Sequence, residues 1–563
     1  PARYRMLLGI DAGGTHTDVV IVDAGGVRAA AKVVTNHENL FESVNDGIAA
    51  MLREVDATRI DRVNLSTTLS TNAIVENTTE KVGMIVSAGP GIEPSHFTIG
   101  DHYHRVEGAL DHRGTEILPL DEKRLEKAIA ACRKAGIKTY AAVSKFSTRN
   151  PAHENTVREA LIGSADFITL GHGISGNLNF PRRIATAYYN SAVWRLYNRF
   201  ADAVEKALDT YGVRASVNVL KADGGTMPIA VSRLLPVETI LSGPSASVMG
   251  ILALCDIGTD SVVLDIGGTT TDIAVFAAGA PLIEPEGIAL NGKNTLVRAL
   301  RTRSIGIGGD SLLGVANGEV RVGPERLGPA VADGGVLATL IDAFNRLGAS
   351  SHGDVDASVK AIEDLAGKYG MKGEDLALRA TERAITSIKS AVDEMVAEIN
   401  ERPVYTIHEM LEGVKIDPER VFVVGGPAEA FRAGLARAFG LDVAVPRDHA
   451  VANAIGAALA RTTMSIELLA DTEKGMLMIP EIGVSRDVPA TYTLEEAGED
   501  ARRYLIGHLG KTAPGERVQA EVVYAASFNM VRGYFTAGRN IRVRCQVKPG
   551  VLEEFGRGVR GSC

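Results

Sequence analysis

Two octapeptides carry the same polar residues at the same spacing. Residues 11–18 read DAGGTHTD and residues 265–272 read DIGGTTTD, so both contain D-x-G-G-T-x-T-D at an offset of 254. Adjacent glycines let a backbone turn approach an oxyanion closely, and successive N–H groups in such a turn form a concave anion site. Threonine hydroxyls add donors, and an aspartate at the mouth of the turn suits a water bound to Mg²⁺. The pattern therefore predicts binding of phosphate and magnesium.

Each residue of these strings receives a predicted role. Asp11 and Asp265 are predicted to be catalytic, as the side chains that order the waters of one Mg²⁺. The predicted phosphate contacts are Gly13, Gly14, Thr15 and Thr17 in the first string and Gly267, Gly268, Thr269 and Thr270 in the second. A polar hairpin turn is the alternative for either string alone, and two copies at equal spacing argue against it. For Asp18 and Asp272 individually, stabilisation of the turn stays open.

Two further glycine turns follow the second string. VFVVGGPAEAF (421–431) indicates a strand, a turn at Gly425-Gly426 and a helix, whose start supplies N–H groups to an adenosine site that includes Glu429. Its alternative is a plain strand-to-helix turn. In RSIGIGGDS (303–311), Gly308, Gly309 and Asp310 are predicted to contact the same nucleotide. The predicted cofactors are therefore ATP and Mg²⁺.

The elements that position these strings are predicted from the apolar runs around them. MLLGI and SVVL precede the two strings, and VVIV and IAVF follow them, so each predicts a strand, a glycine-rich turn and a second strand. Two such hairpins predict two similar α/β lobes made by duplication. Helices are predicted at 38–55, 121–136, 336–348, 356–370 and 372–399, in alternation with strands.

The chain is predicted to divide into an N-terminal lobe (1–185), a second lobe (186–463) and a small C-terminal α+β domain (464–563). In the last of these, GMLMIP, RYLIGHL and NIRVRCQVKP are interpreted as short strands.

Composition excludes several partners and compartments. The 60 Lys and Arg against 69 Asp and Glu give a net charge of −9, which argues against nucleic acid or an anionic membrane as the main partner. No apolar run is long enough to predict a membrane span. The four cysteines (Cys132, Cys255, Cys545 and Cys563) have neither metal nor redox spacing. We therefore expect a cytoplasmic protein without a disulfide framework.

Longer strings in a fixed order carry a family resemblance. They include GIDAGGTHTDVVIVD (9–23), RNPAHE (149–154), KADGGTMP (221–228), LLPVETILSGPSASVMG (234–250) and LDIGGTTTDIAVF (264–276). From about residue 5 to 460, the chain resembles the A-type subunits of the hydantoinase/oxoprolinase family, within the actin, sugar-kinase and Hsp70 ATPase superfamily. The resemblance implies an α/β fold of two duplicated actin-like (ribonuclease H-like) ATPase lobes.

The resemblance also implies an activity. Members hydrolyse a cyclic amide, such as a hydantoin or 5-oxoproline, with ATP, by transfer of a phosphoryl group to the carbonyl oxygen. Two alternatives stay open: an A-type activating subunit of an ATP-dependent ketone carboxylase, and a nucleotide-gated binding protein without catalysis. A small-molecule kinase is a further option. The implied partners are a small carbonyl substrate and a B-type subunit, and we expect a homo-oligomer.

Other polar groups have competing interpretations. His96, His102, His104 and His112 are four of the twelve histidines within seventeen residues, and a solvated loop is favoured over a metal site. The polar run from Ser66 to Asn72 either caps a helix or contacts substrate. Asp223 belongs either to the cleft or to a structural turn. His16 stands where the family commonly has an aromatic residue, and shielding of the turn is favoured over substrate contact.

Overall fold

The computed structural model describes residues 6–13, 16–36, 40–53, 55–284, 286–401, 415–513, 516 and 518–560. The strands are β1 Met6–Ala12, β2 His16–Asp23, β3 Gly26–Val34, β4 Ile60–Thr67, β5 Val82–Ser87, β6 His102–Arg105, β7 Ala109–Leu110, β8 Glu116–Leu118, β9 Thr139–Ser144, β10 Phe167–Leu170, β11 Ser216–Leu220, β12 Thr226–Pro228, β13 Ser261–Ile266, β14 Thr271–Ala277, β15 Ala280–Pro281, β16 Ile283–Glu284, β17 Ala289–Leu290, β18 Lys293–Asn294, β19 Ala299–Leu300, β20 Thr302–Ile305, β21 Leu313–Ala316, β22 Glu319–Val322, β23 Arg420–Val424, β24 Asp442–Ala444, β25 Ser465–Asp471, β26 Met476–Ile479, β27 Val484–Asp487, β28 Ala520–Arg532 and β29 Phe535–Val547.

The α-helices of the described residues alternate with these strands. They are α1 Leu40–Met51, α2 Leu69–Val75, α3 Glu122–Lys134, α4 Ala152–Leu161, α5 Gly171–Ile174, α6 Phe180–Thr210, α7 Ile229–Ser232, α8 Ser242–Leu254, α9 Leu340–Arg346, α10 Val355–Gly367, α11 Gly373–Asn400, α12 Ala428–Phe439, α13 Ala452–Leu459, α14 Leu494–Thr512 and α15 Glu553–Val559.

Two central sheets repeat one arrangement. The first has the order β12-β11-β4-β1-β2-β3, and the second has the order β15-β14-β13-β23-β24 with β20 also on β14. In both, the first strand of a hairpin lies between its antiparallel partner and a parallel strand from later in the chain. The predicted duplication of an α/β lobe is therefore confirmed.

Helices α8 and α13 join the two lobes. They belong to one apolar cluster that contains Leu7 from the first sheet and Val263 from the second. At their crossing, a Cβ on Gly250 would lie 2.3 Å from the carbonyl oxygen of Ala452, and a Cβ on Gly456 would lie 2.1 Å from that of Ala246. The helices therefore touch backbone to backbone, and only glycine fits at these two positions.

Two smaller sheets complete the fold. The strands β10-β9-β5-β6 form a parallel sheet inserted into the first lobe, and β27-β26-β25-β29-β28 form an antiparallel C-terminal sheet. The interpretation of RYLIGHL as a strand is wrong, because these residues lie within α14. Thr493 and Glu496 form a capping box at the start of that helix, and Ala501, Leu505 and Leu509 recur at helical spacing on its buried face.

One predicted domain limit falls inside a helix, and the other falls at the start of a strand. The limit at 185 falls inside α6, while β11 and β12 pair into the first sheet. We therefore propose that the first lobe extends to about residue 240. The limit at 464 stays a prediction, and it coincides with the start of β25 at Ser465.

The cysteines and the apolar helices bear on two expectations drawn from composition. Cys132 and Cys545 are free and buried, whereas Cys255 is disulfide-bonded, which corrects the expectation of a chain without disulfides. Across the described ranges, we find no helix with the length and apolar character needed to span a bilayer.

Candidate active site

The two glycine-rich strings form hairpins of identical register. Asp11 pairs with Asp18 across the first hairpin, and Asp265 pairs with Asp272 across the second. The turns also close alike, because Gly13 N donates to the carbonyl oxygen of His16 at 3.1 Å and Gly267 N does so to that of Thr270 at 2.9 Å. The sequence repeat is therefore a structural repeat. Gly14 and Thr15 lie outside the described residues, so their predicted role stays a prediction.

The hairpins approach each other at one asparagine. The amide Nδ2 of Asn453, on α13, donates to Asp265 Oδ2 at 3.0 Å, and Asn453 also lies against Asp11 and lowers its pKa. Ser247 Oγ, on α8, donates to the same Asp265 oxygen at 2.5 Å. The structure thus brings the two predicted catalytic aspartates together at the helix pair that joins the lobes.

The carboxylates at this point repel one another. Burial, and then the charges of Asp18 and Asp265, raise the pKa of Asp11 to about 7. Burial, and then Asp265, raise the pKa of Asp272 to about 7 as well. Burial also raises the pKa of Asp18, although the Lys32 ammonium 2.8 Å away opposes the rise. The site therefore holds more negative charge than its side chains neutralise.

This donor set fits a magnesium ion. Asp11 Oδ1 is buried and has no hydrogen-bond partner among the described residues, and hard carboxylate oxygens are the ligands that Mg²⁺ prefers. Over the described part of the chain, no three His, Cys, Asp or Glu side chains are placed to hold a metal alone. Such a site suits an ion that keeps several waters and takes further oxygens from a phosphate.

The glycine turns of the second lobe form one packed unit. Gly309 N and Asp310 N donate to the carbonyl oxygens of Gly267 and Gly268 at 2.9 and 2.7 Å. Gly425 has φ +97°, and a Cβ there would lie 2.1 Å from the carbonyl oxygen of Ile266. The predicted turns at 267–270, 308–310 and 425–426 are therefore adjacent in space.

Several other predicted nucleotide contacts differ in their surroundings. A Cβ on Gly308 would lie 2.5 Å from the carbonyl oxygen of Gly268, so this glycine serves close packing. Gly426 is exposed and has open space around it. Glu429 is exposed and lies 3.7 Å from Arg432, and Asp310 pairs with Arg326 at 3.0 Å.

The predicted threonine contacts are not equivalent. Thr269 and Thr270 are partly buried at the tip of the second hairpin. Thr17 is fully buried, and its hydroxyl bonds Thr35 Oγ1 at 3.1 Å, which in turn donates to the carbonyl oxygen of Gly13 at 3.0 Å. Its equivalent, Thr271, donates to the carbonyl oxygen of Ile307 at 2.7 Å. Thr17 and Thr271 therefore use their hydroxyl groups in hydrogen bonds that stabilise the loops, and neither presents a free donor.

The polar run after β4 lies against the start of α8. Thr68 N donates to the carbonyl oxygen of Ala12 at 3.3 Å, and Ser242 Oγ donates to that of Thr67 at 2.8 Å. Thr68 precedes α2 without capping it by a side-chain hydrogen bond. Leu241, before α8, has φ +61° and donates its N–H to Thr71 Oγ1 at 2.9 Å. The run therefore couples the first loop to α8.

The remaining candidate residues are Asp223, the histidine cluster and His16, and none of them lies in an assembled metal site of the described residues. Asp223 is buried, and Lys221 and Arg298 lower its pKa to about 2 against the effect of burial, which fits the structural-turn interpretation. The predicted histidine cluster does not assemble a metal site in the described ranges. The side chain of His16 keeps an exposed surface at the end of the first loop, although neighbouring atoms desolvate part of its ring. This desolvation, followed by the charge of Lys32, lowers the pKa of His16.

Sequence reasoning missed Ser247 and Asn453. Both belong to helices of small residues (SGPSASVMGILAL and ANAIGAAL), in which a polar side chain is the only local signal. A polar residue in such a helix needs a partner, because burial without a hydrogen bond is costly.

Comparison with known proteins gives consistent matches. The family description "Hydantoinase/oxoprolinase" matches residues 183–466, and "Hydantoinase/oxoprolinase N-terminal region" matches residues 7–162. The alpha subunit of caprolactamase from Pseudomonas jessenii is 28% identical over 385 residues, which are 62% of this chain and 54% of that protein. The matched part of the chain corresponds to 54% to 64% of the length of three of its curated relatives.

Two solved structures are similar over nearly the whole chain. The ATP-dependent caprolactamase of Pseudomonas jessenii has a TM-score of 0.69 at 20% identity, over 97% of this chain and 88% of that one. Nucleotide-free acetone carboxylase has a TM-score of 0.70 at 19% identity, over 98% of this chain and 88% of that one. These likenesses show the fold, and the predicted fold class is confirmed.

Proposed function

Since the chain belongs to the hydantoinase/oxoprolinase family, we propose that it is an ATP-dependent hydrolase of a cyclic amide of the hydantoin or 5-oxoproline type. The observation that carries the proposal is the meeting of two equivalent hairpins, with Asp11 and Asp265 beside one amide of Asn453. A paired set of phosphate loops with an excess of carboxylate is what a nucleotide–magnesium site requires. The alpha subunit of caprolactamase, whose name denotes a lactam as substrate, supports a ring amide.

The chemistry follows from the weakness of an amide oxygen as a leaving group. The γ-phosphoryl group of ATP is transferred to the carbonyl oxygen, and ADP leaves. Water then adds to the activated carbon, the ring C–N bond breaks to give an amine and an acyl phosphate, and a second water releases phosphate to leave the ring-opened acid. The protein's contribution is to position the reactants and to stabilise charge. The N–H groups of Gly13, Gly267, Gly309 and Gly425 are used in hydrogen bonds to carbonyl oxygens. In this proposal the phosphates therefore meet the N–H groups of Gly268, Thr269 and Gly426, and Asp11 and Asp265 would hold the waters of Mg²⁺.

Asp11 and Asp265 divide this task. Asp265 accepts hydrogen bonds from Ser247 and Asn453 and is thereby held in one orientation. Asp11 keeps Oδ1 free of hydrogen bonds from the described residues. Since its pKa is raised to about 7, Asp11 would have to lose its proton to hold a cation.

A second candidate is the activating subunit of an ATP-dependent ketone carboxylase, acting with a B-type subunit. Its support is the similarity to acetone carboxylase, which covers 98% of this chain. In both candidates a carbonyl oxygen is phosphorylated, so the site described above serves either.

The deciding experiment is a substrate screen. ATP hydrolysis is measured with hydantoins, 5-oxoproline, lactams and ketones, each with and without bicarbonate, and the organic product is identified by mass spectrometry. The cyclic-amide proposal expects stimulation by a ring amide and one ring-opened acid for each ADP. The Asp11→Asn variant serves as the background control.

Each other outcome contradicts the cyclic-amide proposal in its own way. Turnover with a ketone that requires bicarbonate identifies the carboxylase subunit. A stable phosphorylated product identifies a kinase. ATP binding without stimulation by any compound, also when a B-type subunit is added, indicates a nucleotide-gated binding protein.

A further inference from the structure

The carboxyl edge of the inserted parallel sheet faces the C-terminal sheet. In the order β10-β9-β5-β6, the chain continues from β5 to β6 and from β9 to β10, so the connections from these two neighbouring strands run in opposite directions. Ligand crevices of open parallel sheets form at such points. Ser87 and Ser144 end the two strands, and their hydroxyl oxygens lie 2.6 Å apart. The turn after β9 (145–151) therefore lies where a ligand crevice is expected.

This turn contacts the C-terminal sheet through Arg149. Its Nη2 donates to Asn540 Oδ1, on β29, at 3.2 Å. Its Nε is buried and has no hydrogen-bond partner in the described part of the chain, and a buried donor that stays unused is costly. Burial, and then the charge of Arg542, lower the pKa of Arg149 to about 10. Arg149 is therefore held beside a second positive charge with a donor to spare.

Arg542 supplies that second charge, and nothing on its own sheet neutralises it. It follows Asn540 by two residues along β29, so both side chains lie on the same face. Arg542 is half-buried, and its guanidinium forms neither a hydrogen bond nor an ion pair with any described residue. Its cross-strand neighbours, Leu469 and Ala526, carry no charge. Arg149 and Arg542 thus form an arginine pair without a counter-ion of its own.

The carboxylates near the arginine pair are engaged elsewhere. Asp471 and Glu467 both act against the lowered pKa of Arg149, so they lie within electrostatic reach of it. Asp471, however, accepts two hydrogen bonds from Arg113, at 2.8 and 2.9 Å, and Glu467 accepts one from Arg544 Nε at 3.0 Å. The arginine pair is therefore in excess of the local negative charge, and like charges in a partly desolvated crevice are unfavourable without an anion between them.

We propose that the arginine pair binds the carboxylate group of a small organic acid. A guanidinium presents its N–H donors in a planar fork that matches the two oxygens of a carboxylate. Arg149 Nε and the guanidinium of Arg542 are the donors that this site offers. Because Asp471 and Glu467 lie nearby, a single negative charge suits the crevice better than the higher charge of a phosphate. The proposal does not depend on the proposed function, since neither arginine belongs to the two hairpins.

The test is a thermal-shift titration of the full chain with sodium formate, acetate and propionate. Sodium chloride and sodium phosphate at the same ionic strength are the reference titrations. The Tm of the wild type is expected to rise saturably with a monocarboxylate, by the same amount with and without ADP and Mg²⁺, and not with chloride. Phosphate is expected to bind the arginine pair more weakly than the monocarboxylate does.

Substitutions of single arginines locate the binding. Arg149→Gln and Arg542→Gln are each expected to raise the apparent dissociation constant of the monocarboxylate about tenfold or more. Arg539→Gln is the matched control, because it removes the same charge from an exposed position of the same strand. This control is expected to leave the dissociation constant unchanged.

The ligand-free protein gives a second measurement. Arg542→Gln removes the repulsion at Arg149, so its Tm without ligand is expected to equal or exceed that of the wild type. A lower Tm would assign Arg542 a structural role and would overturn the proposal. The absence of a saturable shift, a shift that Arg542→Gln leaves unchanged, or a preference of the arginine pair for phosphate would each overturn it too. Should Arg149→Gln fail to fold, Arg542→Gln decides alone.

Discussion

The two hairpins share a backbone but differ in the residues around their aspartates. Asp18 lies opposite Lys32 on β3, whereas its equivalent, Asp272, lies opposite Ser304 on β20. Asp265 is held by two hydrogen bonds, whereas Asp11 keeps one carboxylate oxygen without a partner in the described residues. Duplication has thus preserved the register that positions the carboxylates and has changed the charge around them.

The difference separates two tasks that the repeated sequence does not distinguish. In the first hairpin, the free oxygen of Asp11 is available to a cation. In the second, Ser247 on α8 and Asn453 on α13 both donate to Asp265, so its carboxylate is held in one orientation. We therefore expect the two catalytic candidates to respond differently to the same substitution.

The largest expected effect is the loss of ATP hydrolysis in Asp11→Asn. We expect kcat to fall about a thousandfold, because an amide cannot replace the carboxylate that holds the metal waters. Asp265→Asn keeps an acceptor oxygen for Ser247 and Asn453, and we expect a fall of only about tenfold to a hundredfold. Steady-state ATPase assays with thermal unfolding as the folding control measure both. Equal losses in the two variants would remove the proposed division of tasks.

A second prediction concerns the turn that packs under Asp265. Gly425→Ala introduces a Cβ 2.1 Å from the carbonyl oxygen of Ile266 at φ +97°, so we expect a loss of about 1–3 kcal/mol of stability and weaker ATP binding. Gly426→Ala, the next residue, meets open space and is the matched control for stability alone, because Gly426 itself belongs to the predicted adenosine turn. Urea unfolding and nucleotide titration by calorimetry measure both. If Gly425→Ala behaves like its control, the second hairpin does not depend on this turn.

The third prediction is a pH dependence that magnesium reverses. Asp11 and Asp272 have pKa values of about 7 in the folded state, against 3.8 for a free aspartate, so the folded state binds more protons between about pH 4 and 7. The free energy of unfolding of the metal-free protein therefore falls as pH rises through this window. Because Mg²⁺ binds the ionised form, the rise in Tm that it causes is expected to grow from pH 6 to pH 8.

Differential scanning fluorimetry over this range, with and without Mg²⁺, measures the effect. The double variant Asp11→Asn/Asp272→Asn is expected to flatten the profile of the metal-free protein. A wild-type Tm shift by Mg²⁺ that does not change with pH would contradict the assignment.

The smallest effect is expected from exchanging the cross-strand neighbours. Ser304→Lys gives Asp272 the partner that Asp18 has, which lowers the pKa of Asp272 and weakens the pH dependence. Lys32→Ser removes the partner of Asp18, raises the pKa of Asp18 and strengthens the pH dependence. Both changes lie at exposed positions, so we expect shifts in Tm of only a few degrees. The same scans of Tm against pH measure them, and a shift of the same sign in both variants would show that the neighbour does not set the difference.

The sequence predicted the hairpins because their signal is local. Apolar runs with strand spacing flank a glycine turn in both copies, and pairing Asp11 with Asp18 requires only the geometry of a hairpin. The alternation of side chains along a strand also indicates that Thr17 lies on the face opposite Asp18. The sequence does not show that both faces of this strand are buried, nor that the Thr17 hydroxyl is used by Thr35.

The other site features depend on contacts between distant segments. Asn453 reaches Asp265 across 188 residues of chain, and its position follows from the approach of two glycine-containing helices. The neighbours Lys32 and Ser304 depend on strand register, which a single sequence specifies only weakly. The strand prediction for RYLIGHL is wrong because a short apolar run fits both the helical period and the strand period.

The glycine contact between α8 and α13 also determines how the lobes can move. Where two backbones touch without side chains, no interlocking ridges resist a change of angle, yet the apolar cluster around the contact opposes separation. We therefore expect any relative motion of the lobes to pivot about this contact. Asn453 is three residues from Gly456 along α13, so a change of angle at this contact would alter the hydrogen bond between the Asn453 amide and Asp265.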